Sequence, residues 1–302
     1  MGEIKNILVT GSNGFLGSHI ITALIEADYR PILLLRSTSD LWRIEYLLDK
    51  CDKYIIDNPG HSISKLYEEY QIDGIIHTAT DYGRDNSWAN ILRTNVIFPV
   101  DLIEQGVKAG IKVFINTDSF FAKPIYNQEY LKHYTRSKRL LEEFLKDFGG
   151  GLKIFNLRLE HVYGEDDAEQ KFVTSIIKRL LMNDEEILLT EGQQKRDFIY
   201  VKDVVNGFIA VLDSTVNIKE HYQEFQLGTG KSISVRGFIE HIAQAVGSSS
   251  RLKFGALPNR KGDIEDSVAD IKRIKELGWT HIYDTDQAIK NIVKKEKIRF
   301  GI

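Results

Sequence analysis

Cysteine is all but missing from this chain. Cys51 stands alone, which excludes an intramolecular disulfide framework and fits a reducing compartment. A surplus of either charge is missing too. Forty Lys and Arg against 43 Asp and Glu leave a net charge of -3, with no polyanion-binding excess, so nucleic acid is not an expected partner. No apolar run reaches membrane-spanning length, and Met1-Gly2-Glu3 leads into a strand-like segment rather than a signal-peptide pattern. The eight histidines are scattered without zinc-ligand spacing, so no metal is expected. Internal repeats and low-complexity tracts are absent as well. The expectation is a cytoplasmic α/β protein. Its 302 residues, 42% of them hydrophobic, can form one large domain or a domain with a smaller lobe.

Against these absences, the segment Lys5-Asn-Ile-Leu-Val-Thr-Gly-Ser-Asn-Gly-Phe-Leu-Gly17 carries the most information. An apolar strand runs into glycines at 11, 14 and 17, and an apolar helix follows. Gly11 allows the tight turn, Gly14 lets backbone N–H groups approach phosphates, and Gly17 lets the helix lie close on the strand. The helix N-terminus then presents unpaired N–H groups and a positive dipole end to an anion. Three glycines among 23 would mean little alone. Their place between a strand and a helix points to a bound nicotinamide dinucleotide.

Short apolar runs at 4–10, 31–35, 54–56, 74–77, 113–116 and 153–159 alternate with amphipathic stretches such as 15–27, 88–109 and 133–148. The alternation predicts a Rossmann-type, doubly wound parallel sheet with ligands beyond the carboxyl ends of its strands. After Gly164 the rhythm changes. A helix is expected at 172–181, a strand at 186–190, a strand at 225–230 and a helix at 235–246, while 252–279 lacks regular alternation. The glycines at 149–151 read as a loop into the next strand. The predicted organisation is a dinucleotide-binding domain over 1–160, with 195–215 returning to it, and a smaller substrate-binding lobe over 161–194 and 216–302.

Where the second strand ends, many NAD-binding chains carry an acidic residue for the ribose hydroxyls. Here the strand ends in Arg36-Ser37-Thr38. A guanidinium can take a 2′-phosphate bidentately, so NADPH is favoured over NADH. Asp57, after the third strand, is placed for the adenine edge. In Tyr134-Thr-Arg-Ser-Lys138 a tyrosine and a lysine share one helix face. A phenol near pKa 10 transfers protons poorly at neutral pH, and a nearby ammonium favours its phenolate. With 13 tyrosines such pairs also arise by chance, and Tyr46-Leu-Leu-Asp-Lys50 is another. Tyr46 lies towards the adenosine half, whereas Tyr134 follows the fifth strand on the nicotinamide side. That strand delivers Thr117-Asp118-Ser119, a source of a hydroxyl for the substrate oxygen.

The chain resembles an extended short-chain dehydrogenase/reductase of the nucleotide-sugar epimerase/dehydratase type. The likeness rests on Thr10-Gly-Ser-Asn-Gly-Phe-Leu-Gly17, His77-Thr-Ala79, Asn95, Asn116-Thr-Asp118, Tyr134 with Lys138, Leu157-Arg158 and Val162-Tyr-Gly164. It continues through Arg196-Asp-Phe-Ile-Tyr-Val201 with Asp203, Leu227-Gly-Thr-Gly230, Arg260-Lys-Gly-Asp263 and Leu277-Gly-Trp279. The resemblance implies a catalytic set of Thr117, Tyr134 and Lys138, with Lys138 also holding the nicotinamide ribose. It implies cofactor contacts from Gly11, Asn13, Gly14, Phe15, Leu16 and Gly17, joined by Thr78, Ala79 and Asn95 to the Arg36 and Asp57 already named. For the substrate it implies Thr80, Asp118, Ser119 and Lys171, with Arg196 and Arg260 clamping the diphosphate. His161 takes a position that in relatives lies near nicotinamide and substrate; a packed loop histidine is the plain alternative. Family members commonly dimerise through helices that here span about 94–109 and 133–148, so a homodimer is expected.

Sugar 4,6-dehydratases of this family carry Thr-Asp-Glu after the fifth strand, and Ser119 cannot replace the carboxylate base. The short stretch to Tyr134, with Phe120-Phe-Ala-Lys123 and 126–130, is similar to abequose synthase-like 4-ketoreductases of nucleotide sugars. The expected reaction is NADPH-dependent reduction of a nucleotide-linked 4-keto-6-deoxy sugar (CDP-, dTDP- or GDP-linked). The alternatives are an NAD-dependent 4-epimerase and a non-catalytic NADP sensor on the same fold. Thr117 and Ser119 both remain open as the active hydroxyl.

Overall fold

In the strand β1 (Asn6–Thr10), Ile7 and Val9 join the core on one side of a sheet and Leu8 the core on the other, all three fully buried. A strand covered on both faces belongs in a parallel sheet flanked by helices. The computed structural model describes residues 4–84, 86–149 and 151–301. Met1–Glu3, Asp85, Gly150 and Ile302 lie outside them.

The strands β2 (Arg30–Leu35), β3 (Asp52–Ile55), β4 (Gly74–His77), β5 (Val113–Ser119) and β6 (Lys153–Leu159) follow, with a seventh at Tyr222–Leu227. All pair in parallel, in the spatial order Tyr222–Leu227, β6, β5, β4, β1, β2, β3. The order turns back between β1 and β4, which opens the ligand crevice above the carboxyl ends of those strands. Helix α1 (Phe15–Glu26) and the helix Val201–Ser214 cover one face. The other is covered by α2 (Ile63–Glu69), by α3 (Trp88–Leu92) continuing through a π-turn at Arg93–Ile97 into α4 (Phe98–Ala109), and by α5 (Lys132–Asp147).

A second core gathers Ile177 and Leu180 of the helix Phe172–Leu181, Phe238 and Ile242 of Val235–Val246, and Ile289 and Ile292 of Thr285–Phe300. Three expectations change. Residues 222–227, placed by sequence in the smaller lobe, form an edge of the main sheet; their polar Gln223, Glu224 and Gln226 hide a strand with one half-wet face. Conversely, Phe198–Tyr200 does not return to that sheet. It pairs with His161–Tyr163, while Ile199 and the following helix pack on the main core. The expected strand at 225–230 ends early because Asp197 captures the next turn, accepting from the backbone of Thr229 (2.7 Å) and Gly230 (3.0 Å).

Candidate functional site

One cavity of about 1620 Å³ runs across the carboxyl ends of the strands into the second core. Its first wall is backbone. Gly11 has φ +65°, and a Cβ at Gly17 would lie 2.2 Å from the Gly11 carbonyl oxygen. Gly14 caps α1, whose first turn holds no acidic side chain. Thr78 donates to the Thr10 carbonyl (2.7 Å) and the Ala79 N–H donates to Thr10 Oγ1 (3.2 Å), so both turns are fixed against each other. Asn13, Phe15, Leu16 and Thr80 line the same stretch. A close-packed turn with glycines at its points of closest approach, at a helix N-terminus, fits a dinucleotide pyrophosphate.

At the end of β2, Arg36 and Ser39 line the cavity, and the Arg36 N–H donates to Ser39 Oγ (3.0 Å). Asp57 does not line it. Its carboxylate accepts from the N–H (2.7 Å) and hydroxyl (2.9 Å) of Ser37, and so shapes the turn that carries Arg36. Asn95 is also off the wall. Buried in the π-turn, it accepts from the Asp81 N–H (2.7 Å) and donates to the Asp81 carbonyl (2.8 Å) and to Ser137 Oγ (2.9 Å). Both residues hold cavity loops in place. Tyr46 is 69% exposed and off the cavity, unlike Tyr134.

Thr117, Tyr134 and Lys138 do converge on the cavity. Lys138 Nζ donates to the Thr117 carbonyl (2.8 Å) and lies 5.8 Å from the centre of the Tyr134 ring. Thr117 Oγ1 is buried without a protein partner. Burial lowers the Lys138 ammonium to about 8, although the Asp118 carboxylate pulls it upward. The expected lowering of Tyr134 does not occur. Burial pushes its phenol well above 10, Tyr82 and Asp118 push the same way, and only the Ser119 hydroxyl draws it down. The phenol therefore stands protonated, ready to give a proton rather than take one.

Asp118 also lines the cavity, but its carboxylate is engaged within the protein. Side chains alternate along a strand, so Thr117 and Ser119 share one face while Asp118 takes the other. There its buried carboxylate accepts from Arg158 Nε (2.9 Å) and Asn156 Nδ2 (3.1 Å). Arg158 also binds Glu142 and Glu224, which seals the cluster.

At the far end, His161 lies among Phe120 and Phe198, and burial lowers it to about 3, so it is neutral. Arg196 is buried, donating to the Ile264 carbonyl (2.6 Å) and Asp263 (2.9 Å); Arg260 is exposed, with its guanidinium 3.7 Å above the Tyr130 ring. Lys171 Nζ stands 4.1 Å above the ring of Tyr82. Sequence reasoning missed Tyr82, Tyr130 and the buried Lys123–Glu160 ion pair. A glutamate directly after the apolar strand β6 was the one available signal for that pair.

The sequence pattern of the NAD dependent epimerase/dehydratase family matches residues 7–228. The chain belongs to that family. As a member it is an NAD(P)-dependent enzyme of the oxidoreductase type. It is 35% identical to a CDP-abequose synthase of Salmonella typhimurium, over 96% of this chain and 97% of the relative. A putative UDP-glucose 4-epimerase of Methanocaldococcus jannaschii is 28% identical, over 95% and 97%. Among solved structures, the UDP-glucose 4-epimerase of Thermotoga maritima with UDP-glucose superposes with a TM-score of 0.84 at 25% identity, covering 98% of this chain and 99% of that one. Among the described residues, no helix is long and apolar enough to cross a membrane.

Proposed function

We propose that this family member uses NADPH to reduce the 4-keto group of a nucleotide-linked 4-keto-6-deoxy sugar. One observation carries the reading: Thr117, Tyr134 and Lys138 converge on the cavity at the β5 terminus, while the Asp118 carboxylate beside them is paired with Arg158. Dehydration needs an acid and a base at this point, and both nearby carboxylates are already engaged, Asp118 by Arg158 and Glu160 by Lys123. Reduction needs a proton donor, which Tyr134 is. The 35% identity to a CDP-abequose synthase supports a deoxysugar nucleotide, with a CDP-linked one favoured.

When bound, the reduced nicotinamide supplies hydride to the carbonyl carbon. Tyr134 gives its phenolic proton to the developing alkoxide, Thr117 Oγ1 donates to the same oxygen, and Ser119 steadies the phenol. The Lys138 ammonium supplies positive charge beneath the reacting oxygens and has its own donors for the cofactor ribose. The backbone of 11–17 binds the pyrophosphate, Arg36 the 2′-phosphate, and Lys171, Arg196 and Arg260 the sugar diphosphate. A second copy of the chain covers the α4–α5 face, where Ile97 is 59% and Phe144 45% exposed.

The test is NADPH consumption with a panel of 4-keto-6-deoxy sugar nucleotides that differ in base. Consumption with one base, lost in Tyr134→Phe while NADPH still binds, is the expected result. Tyr134→Phe with full turnover would remove the proton-transfer role. A 4-epimerase is the second reading, favoured by the fold shared with a UDP-glucose 4-epimerase. It predicts interconverting sugar isomers with cofactor that is never consumed.

A further inference from the structure

Tyr82 belongs to none of the motifs above, yet its ring lies face to face with that of Tyr134, centroids 5.1 Å apart and planes 28° from parallel. The ammonium of Lys171, at the start of the helix Phe172–Leu181 of the second core, stands 4.1 Å from the centre of the same ring. Three elements distant in sequence thus meet at Tyr82. We infer that Tyr82 is a positioning residue for proton transfer: it holds the Tyr134 phenol in its working orientation and closes the sugar end of the cavity against water. This rests on Tyr134 being the proton donor.

The loop that carries Tyr82 is built to hold it still. Asn95 grips the preceding residue on both sides of its backbone, at the Asp81 N–H and at the Asp81 carbonyl. The same side-chain amide donates to Ser137, three residues beyond Tyr134 on α5. The following residue, Gly83, has φ +69° and donates its N–H to Asp81 Oδ1 (2.8 Å); a Cβ there would meet Ile91 at 2.7 Å. Asn95 therefore ties the Tyr82 loop directly to the helix that bears Tyr134. That gives this buried amide a purpose, since it does not reach the cavity.

The ring rather than the hydroxyl does the positioning. An aromatic pair prefers offset stacking. A cation close to the Tyr82 ring strengthens the hold. The groups that bear on the Tyr134 phenol are Tyr82 from this loop, the Ser119 hydroxyl and the charge of Asp118 from β5, and Lys138 from its own helix, with Lys171 next to Tyr82. Removing the Tyr82 ring leaves the other four in place and admits water to the phenol.

The experiment compares Tyr82→Ala and Tyr82→Phe with the wild type, reading turnover, NADPH affinity and the alkaline ultraviolet titration of Tyr134. Subtracting the titration of a matching Tyr134→Phe variant isolates that phenol. In Tyr82→Ala, kcat should fall about 100-fold, the scale of a misplaced catalytic group, with NADPH affinity unchanged. The Tyr134 titration should move down towards the ordinary phenol value near 10. Tyr82→Phe should restore both. Wild-type kcat in Tyr82→Ala, or a Phe variant as impaired as the Ala one, would overturn the inference. So would loss of NADPH binding in both Tyr82→Ala and a bulkier Tyr82→Leu, because the residue would then be structural. If the wild type reduces no 4-keto sugar nucleotide, the proposed reaction fails, but the titration still decides whether Tyr82 controls Tyr134.

Discussion

The two ends of the cavity are built by different means. The cofactor end is backbone, made by seven consecutive residues whose glycines leave no Cβ in the way. The sugar end is side chain, assembled from residues tens of positions apart: Tyr82 on Tyr134, Arg260 on Tyr130, Lys123 on Glu160. A backbone cradle is a local property that chain order and spacing dictate. A wall of side chains depends on tertiary contacts that no local pattern records. The cofactor end should therefore fail all at once when a single methyl is added. The sugar end should degrade contact by contact and be open to repair by paired changes.

Gly17→Ala is the sharpest blow to the cofactor end. The added methyl would meet the Gly11 carbonyl at 2.2 Å, and that backbone is itself held at φ +65°. We expect dinucleotide affinity to fall by at least about 100-fold, or ~2.8 kcal/mol at 1.4 kcal/mol per decade. Fluorescence titration of NADPH checks this, and affinity within a small factor of wild type would show that the cradle yields.

Glu160→Gln tests the other end. Both partners of the Lys123–Glu160 pair are buried, Glu160 also accepts from Ser267 (2.7 Å), and Lys123 donates to the Val268 carbonyl (2.6 Å). The pair so fastens the segment before α5 to the 267–268 segment. Removing one charge strands the other, which destabilises by about 3–5 kcal/mol. The double change Lys123→Met/Glu160→Leu should recover most of it, since apolar replacements often match a buried pair. Thermal unfolding of the three proteins decides. A single variant as stable as wild type would mean that this pair does not brace the wall.

The same contrast explains what could be read in advance. The strand ends, the glycine turn and the Tyr134–Lys138 spacing were legible because each is fixed by local periodicity. Asp57, Asn95 and Asp118 were read as ligands because they sit in the right places along the chain. In the structure all three hold the scaffold: a turn, a loop and a charge cluster. For Asp118 the two-residue alternation beside Thr117 already signalled that role. For Asn95 nothing local did, since its partners lie 14 and 42 positions away. The strand expected at 225–230 was not recognised as an edge of the main sheet starting at Tyr222 for a similar reason, its polar residues breaking the apolar run that marks the other strands.

Between the two ends stands Lys138, and pH probes it. In the proposed mechanism its ammonium is the working form, and burial lowers it to about 8. Turnover should hold its plateau below that value and fall as pH rises through it. Tyr134 lies well above, and His77 and His161 are both neutral, each lowered to about 3, so none of the three places a limb between pH 5 and 8. A pH–rate profile flat through pH 8 would show that the charge on Lys138 is dispensable.

The smallest effect should come from Arg36→Ala, because this guanidinium is exposed and the solvent screens it. We expect NADPH to bind about tenfold more weakly, ~1.4 kcal/mol, with NADH unaffected and the difference shrinking at high salt. Equal weakening of both would place Arg36 on the part of the cofactor they share, and the preference for NADPH would need another source. No change in either would make the end of β2 indifferent to the 2′-phosphate. The reduced cofactor used would then be set by supply rather than by this residue, and the case for a consumed reductant would rest on the Tyr134 site alone.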